Sequence, residues 1–325
     1  MSVLVTGGNG AIGSWILHNL LERNVVPVSY DVVQEMSLLS DISEKVTFVK
    51  GDVTDLFNLC SSIKKHNVDR IIHAAGLVGS NCQQNPRAAL RVNCEGTLNV
   101  LEAARLCDIK RIVYFSTKAV YGSPSGEYGP PLYKKITEDH PKNPIKLYES
   151  TKLMGENLAI NYANDHGLSL VTLKFPALYG PLRVVRHGFF AIVDRMINNA
   201  LAAKPMRIEG GADAKDEWCY NKDCARGAVL ACLAENPKFR QYHIGTGQAH
   251  SMREVADAVR RVIPNTQVNF GSSSDYYGIG FMYNYILDTS RAREDLGYEP
   301  TYDLPKGIKD YVDTMKLFGI QPVVS

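Results

Sequence analysis

Cysteine is scarce in this chain and follows no pattern that chemistry could use. The seven residues, at 60, 82, 94, 107, 219, 224 and 232, are odd in number and scattered. The nearest two, Cys219 and Cys224, lack the two-residue gap of zinc and redox sites, and no second pair complements them. Reduced thiols in a cytoplasmic protein are therefore expected, not a disulfide framework. An excess of one charge is lacking too: 36 Lys and Arg stand against 34 Asp and Glu, a net +2. That balance gives no electrostatic reason for nucleic acid or an acidic membrane surface as partner. No apolar run approaches the ~20 residues that span a bilayer. No basic segment precedes the first apolar run, so neither an anchor nor a secretory signal is expected. Low-complexity tracts and internal repeats are absent.

What is present is 325 residues of ordinary globular composition, enough for one large or two modest domains with a sizeable core. Up to Phe175 the chain alternates short apolar runs with helical patterns. Strands are expected at Val3–Thr6, Val25–Tyr30, Val46–Val49, Arg70–Ala75, Arg111–Phe115 and Leu168–Phe175. Between them lie helices starting near Ile12, after a capping Asp55, across Pro86–Cys107, and from Pro144 to about His166. Such alternation predicts an α/β fold, a Rossmann-type doubly wound parallel sheet covered on both faces. After Pro176 the texture changes. Helices near Phe189–Ala203, Asp223–Glu235, Met252–Val262 and Pro305–Phe318 are separated by Gly-, Ser- and Asp-rich connectors. Short strands are expected near Met206–Ile208, Tyr242–Ile244 and Val268–Phe270. This reads as a smaller C-terminal α/β substrate lobe, dividing the chain at about 1–175 and 176–325, with elements free to interleave.

The stretch LVTGGNGAIG follows the first strand and opens the first helix. Gly7 suits a tight turn, Gly10 lets backbone approach a pyrophosphate, and Gly13 lets helix and strand pack closely. The helix start offers free N–H groups and a partial positive charge to phosphates. An acidic residue should close the second strand to hold ribose hydroxyls, and Asp31 sits there. A carboxylate at that place repels a 2′-phosphate, which favours NAD over NADP.

A second constellation is YESTK. Tyr148 and Lys152, four apart, share a helix face. A phenol with an ordinary pKa of ~10 is a poor base at neutral pH, and a fixed positive charge nearby brings it toward the working range. FSTKAVYG ends the preceding strand and supplies hydroxyls.

Together TGGNGAIG, GDVTD, HAAG, VNCEGTLNVLEAA, FSTKAVYG, YESTK, LYGP and LDTSRAREDLGYEP resemble, in order and over nearly the whole chain, the extended short-chain dehydrogenases/reductases, also called the NAD-dependent epimerase/dehydratase family. The resemblance implies that Tyr148 is the general acid/base and that Lys152 binds the nicotinamide ribose while lowering the tyrosine's pKa. Thr117, with its neighbour Ser116 as second choice, would orient the substrate oxygen. Asp52 and Val53 would contact adenine, and Ala74, Ala75 and Gly76 would pass under the cofactor with Asn93 as their helix partner. Ala11, Ile12, Ser116 and Phe175 complete the implied NAD contacts. His73 reads as a packed strand-end residue. The family also implies a homodimer through the helices at about Pro86–Cys107 and Pro144–His166.

Departures from the family pattern narrow the substrate. Dehydratases carry Asp-Glu directly after the catalytic Thr, where this chain has Lys118 and Ala119. Members acting on nucleotide-linked sugars show Asn at the position of Ala177 and a phosphate-gripping Arg at that of Asp216; a second such Arg before Asp288 is missing. A carboxylate in place of a bidentate clamp reverses the local charge. Arg183, Arg186 and His187 follow LYGP and could bind an anion such as a carboxylate; a solvated basic loop is the other reading. Tyr276, Tyr277 and Tyr283–Tyr285 could wall the pocket or pack the lobe. The expected activity is NAD-dependent hydride transfer at a secondary hydroxyl of a sugar or sugar-derived acid. The alternatives are a nucleotide-sugar 4-epimerase and a catalytically inactive NAD-binding regulatory protein.

Overall fold

Ser2–Thr6 (β1) is buried along its whole length, Val3 and Val5 facing one hydrophobic layer and Leu4 the other. That two-sided burial is what a central parallel strand requires. The computed structural model describes residues 1–278, 280 and 283–324, the side chains of Ser80 and Arg186 excepted. The strands are β1, Val26–Asp31 (β2), Thr47–Lys50 (β3), Arg70–His73 (β4), Arg111–Thr117 (β5), Leu170–Phe175 (β6), Ala177–Tyr179 (β7), Met206–Gly210 (β8), Lys215–Asp216 (β9), Trp218–Tyr220 (β10), Gln241–His243 (β11), His250–Ser251 (β12) and Val268–Ser273 (β13). Among the described residues seven of them form one sheet in the order β11-β6-β5-β4-β1-β2-β3, every neighbouring pair parallel.

Helices Gly13–Leu21 (α1) and Leu56–Lys65 (α2) follow the first and third strands. Next come Gly79–Gln84 (α3), Pro86–Leu90 (α4), Gly96–Leu106 (α5) and Leu147–His166 (α6). Sequence predicts one helix across Pro86–Cys107. The structure instead inserts a wide, π-type turn at Arg91–Glu95 between α4 and α5. Such bulges recur where a side chain must be re-aimed, and this one carries Asn93. Asp55 caps α2 by accepting from the Asn58 amide at 2.9 Å. Gly167, at φ +68°, ends α6 in the left-handed conformation that favours glycine.

Beyond β7 come Arg183–His187 (α7), Ile192–Leu201 (α8), Asn221–Leu233 (α9), Met252–Val262 (α10), Ser290–Leu296 (α11) and Leu304–Leu317 (α12). Pairs β7–β10, β8–β13 and β9–β12, with α8, α10 and α12, bury a second core around Met196, Trp218, Val255 and Tyr311. The C-terminal half does not stay in that lobe. Helix α9 packs on α1 and the sheet, and β11, expected in the smaller lobe, is the outermost strand of the main sheet, paired with β6. Its short apolar run marks a strand, but nothing in it says which sheet it joins. No helix among the described residues is long and apolar enough to cross a membrane.

Candidate functional site

Strand order reverses between β1 and β4, and a cleft of about 670 Å³ opens at the carboxyl ends of the strands there. In such sheets this crevice is where ligands bind. Gly7 sits at its base with φ +70°; a Cβ there would meet the Ala75 backbone at 3.0 Å. A Cβ on Gly13 would lie 2.1 Å from the Gly7 carbonyl oxygen, so only glycine lets α1 start this close to β1. Gly10, Ala11 and Ile12 complete this wall.

Asp31 ends β2 beside the turn. Its carboxylate accepts the Asn9 amide and the Val33 amide, each at 3.0 Å. Each oxygen keeps a further lone pair for a hydroxyl. Asn9 also donates to the Val33 carbonyl at 2.7 Å and accepts from Ser29 at 2.6 Å. It locks the turn to β2, a role that sequence reading missed. Asp52, Val53, Ala74, Ala75, Gly76, Ser116 and Phe175 line the same cleft. Phe175 packs on Phe115 with ring centroids 4.7 Å apart. The cradle, the carboxylate and the narrow backbone approach fit a dinucleotide.

Asn93 is the exception among the expected cofactor residues. It stands off the cleft wall, its Oδ1 accepting the Leu77 amide at 2.8 Å and its Nδ2 donating to the Leu77 carbonyl at 2.9 Å and to Thr151 at 3.0 Å. The wide turn aims it at the loop after β4, so it positions that loop against α6. His73, also buried, touches Thr6 at 2.7 Å and Thr97 at 3.1 Å, and burial pushes its pKa down to about 3.

Thr117, Tyr148 and Lys152 meet in the cleft. Thr117 ends β5, where its hydroxyl accepts the Ala119 amide at 3.2 Å. Burial raises the Tyr148 pKa above its ordinary value, while the Arg183 guanidinium and the Thr117 hydroxyl pull it down. Sequence assigns that pull to Lys152. The Lys152 ammonium lies 4.6 Å from the centre of the Tyr114 ring, and burial lowers its own pKa to about 8, opposed by Glu156. Ser116 donates its hydroxyl to Glu156.

The far wall comes from the second lobe. Lys118 forms a buried ion pair with Asp216, which also accepts the Tyr276 hydroxyl at 2.8 Å. Lys118 further donates to the carbonyls of Tyr283 at 2.9 Å and Tyr285 at 3.3 Å. Glu149 accepts the amides of Ile145 and Lys146 and the Tyr283 hydroxyl. Tyr277 and Tyr283 face the cleft, whereas Tyr276 and Tyr285 stand behind it. Ala177, Arg183 and His187 are on the wall as expected, and the Arg186 side chain lies outside the described residues. Glu149, Phe190 and the pairing of Lys118 with Asp216 were missed. The only available hint was Glu149's place three residues after Lys146, at the start of α6.

Comparison with known proteins gives a consistent picture. A sequence model of the NAD dependent epimerase/dehydratase family matches residues 3–245. The chain is 32% identical, over 97% of its length and 98% of the relative's, to a Methanocaldococcus jannaschii protein named "Putative UDP-glucose 4-epimerase". It is 30% identical to the UDP-glucose 4-epimerase of Mycolicibacterium smegmatis, across 96% of this chain and 98% of that one. The Thermus thermophilus UDP-glucose 4-epimerase, solved in complex with NAD, matches with a TM-score of 0.81 at 25% identity, covering 97% and 99% of the two chains.

Proposed function

This chain belongs to the NAD-dependent epimerase/dehydratase family, and on that footing we propose that it moves hydride at a secondary hydroxyl of a sugar or sugar-derived acid, with Tyr148 as general acid/base. One observation carries the reading: Tyr148, with Thr117 and Lys152, opens into the same cleft as the Gly7–Gly13 turn. Bound NAD would supply the hydride acceptor. Asp31, the glycine turn and Lys152 would hold it, with Ala74–Gly76 beneath. The Tyr148 phenolate takes the hydroxyl proton as the carbinol carbon gives up hydride, and it returns that proton in the reverse direction. Thr117 holds the substrate oxygen beside the phenol. Arg183 and Thr117 oppose the effect of burial and bring the phenol closer to a usable base.

Tyr148→Phe tests this assignment. It removes the proton carrier and nothing else of similar size, so turnover should fall roughly 100- to 10,000-fold while NAD still binds. Unchanged turnover on a confirmed substrate would refute the role.

A second reading, a nucleotide-sugar 4-epimerase, is favoured by the names of the relatives above. The two separate on stoichiometry: a dehydrogenase releases one NADH per turnover, an epimerase isomerises with none. A homodimer through the helical stretch from α4 to α5 and through α6, in a cytoplasmic setting, belongs to the same proposal. Leu90, Leu98, Leu106 and Met154 leave apolar surface exposed on or beside these helices.

A further inference from the structure

Beyond Tyr148 the charged groups of the cleft are in unequal states. Lys118 has three donors, and Asp216, the Tyr283 carbonyl and the Tyr285 carbonyl take them all. Asp216 is engaged by Lys118, the Tyr276 hydroxyl and the Glu217 amide at 2.7 Å. This pair presents no net charge to a ligand.

Arg183 differs. It is 6% exposed and on the cleft wall, and its Nε hydrogen-bonds nothing although Asp194 Oδ2 lies 3.5 Å away. One Nη stands 3.5 Å from His187 Nδ1, at the outer limit of a hydrogen bond. A buried guanidinium has five N–H donors to satisfy. Asp194, fully buried with its other oxygen on the Gly180 amide at 2.7 Å, braces the guanidinium from behind. Burial pushes up both Asp194, to about 7, and Asp216, so Arg183 differs from Lys118 in its unfilled donors and not in its carboxylate partner. The positive charge reaches both Tyr148 and Tyr277. An anion held there would lie beside the phenol oxygen.

Resting on the hydride-transfer reading of this site, we propose that Arg183 grips a free carboxylate of the substrate, a few bonds from the hydroxyl that Tyr148 deprotonates, and that this substrate is a small hydroxy acid or sugar acid carrying no nucleotide. The planar fork of arginine matches a carboxylate. A diphosphate brings at least two negative charges, and Lys118, on the wall formed with the second lobe, is already neutralised by Asp216. The reaction balances without other reagents: the C–H hydride reduces NAD to NADH, the O–H proton passes through Tyr148 to water, and the alcohol becomes a ketone.

Two measurements test it on the NAD-loaded, full-length enzyme. In the first, uronates, aldonates and small hydroxy acids are compared with neutral aldoses, sugar 1-phosphates and UDP-glucose, reading both NADH and isomerised product. Acids should react, and Arg183→Gln should raise their KM roughly 100-fold with a smaller change in kcat, as expected for losing a charged hydrogen bond. Arg183→Lys should restore part of the loss. In the second, glutarate and UDP are titrated into the wild type by calorimetry, which needs no turnover and no folded variant. Glutarate should bind and UDP should not. UDP binding without glutarate binding, or turnover confined to neutral or UDP-linked sugars, overturns the carboxylate assignment and leaves hydride transfer standing. No reaction by any of these alcohols, in a protein that binds NAD, overturns both.

Discussion

Lys118 and Asp216 meet as an ion pair inside the protein, tying the residue after Thr117 to the edge of the second lobe. Removing one partner strands a buried charge. Asp216→Ala should therefore cost about 3–5 kcal/mol in urea unfolding. The double change Lys118→Met with Asp216→Leu should recover most of that loss. Equal destabilisation by the single and the double variants would mean that the pair does not govern stability.

Asp194 predicts a pH dependence of stability. Burial raises its carboxyl from 3.8 to about 7. The folded protein then holds a proton that the unfolded chain gives up above pH ~4. Its contribution is complete below that pH and is lost as pH rises to about 7, by something on the order of 4 kcal/mol. In Asp194→Asn this fall should disappear. Chemical denaturation of both proteins at pH 4.5 and 7.5 gives the comparison.

The Thr117 hydroxyl lowers the pKa of the Tyr148 phenol. Thr117→Val removes it, so the rise of kcat with pH should move to higher pH, and kcat near neutrality should drop roughly 10- to 100-fold. A pH–rate profile that keeps its midpoint would contradict the assignment.

Gly13→Ala forces a methyl to within 2.1 Å of the Gly7 carbonyl oxygen. Backbone cannot yield there without opening the turn, so NAD affinity should weaken at least ~10-fold. Fluorescence titration with NADH reads it directly.

Asp31→Ser removes the carboxylate beside the turn while leaving a short hydroxyl. The preference for NAD over NADP should fall by roughly 10-fold or more, seen as a change in the ratio of kcat/KM for the two cofactors.

The frame of this site was legible because its signals are local. Asp55 capped α2 where a capping side chain was expected, Gly167 stopped α6, and the strands appeared in order because each is a short apolar run between breakers. The glycine turn followed by Asp31 could be read for the same reason. What escaped was set by contacts between distant residues. Lys118 and Asp216 are 98 residues apart, and neither looks unusual alone. Glu149 and Tyr283 meet across a wider gap still, 134 residues. The wide turn at Asn93 contains neither glycine nor proline, so nothing local in the sequence marked it. Helix spacing put Lys152 on the right face but could not foretell that Arg183, at the start of α7, would also reach Tyr148 with its charge.

The placement of β11 has a consequence for how the polypeptide can be cut. Residues 241–243 cover the backbone of Thr172, Leu173 and Lys174, and α9 covers the adjoining apolar face. A fragment ending at Phe175 would present that strand as a bare, sticky margin, open to pairing with another copy. Such a fragment should precipitate when expressed alone, because the nucleotide-cradling half borrows its last wall from the half made after it.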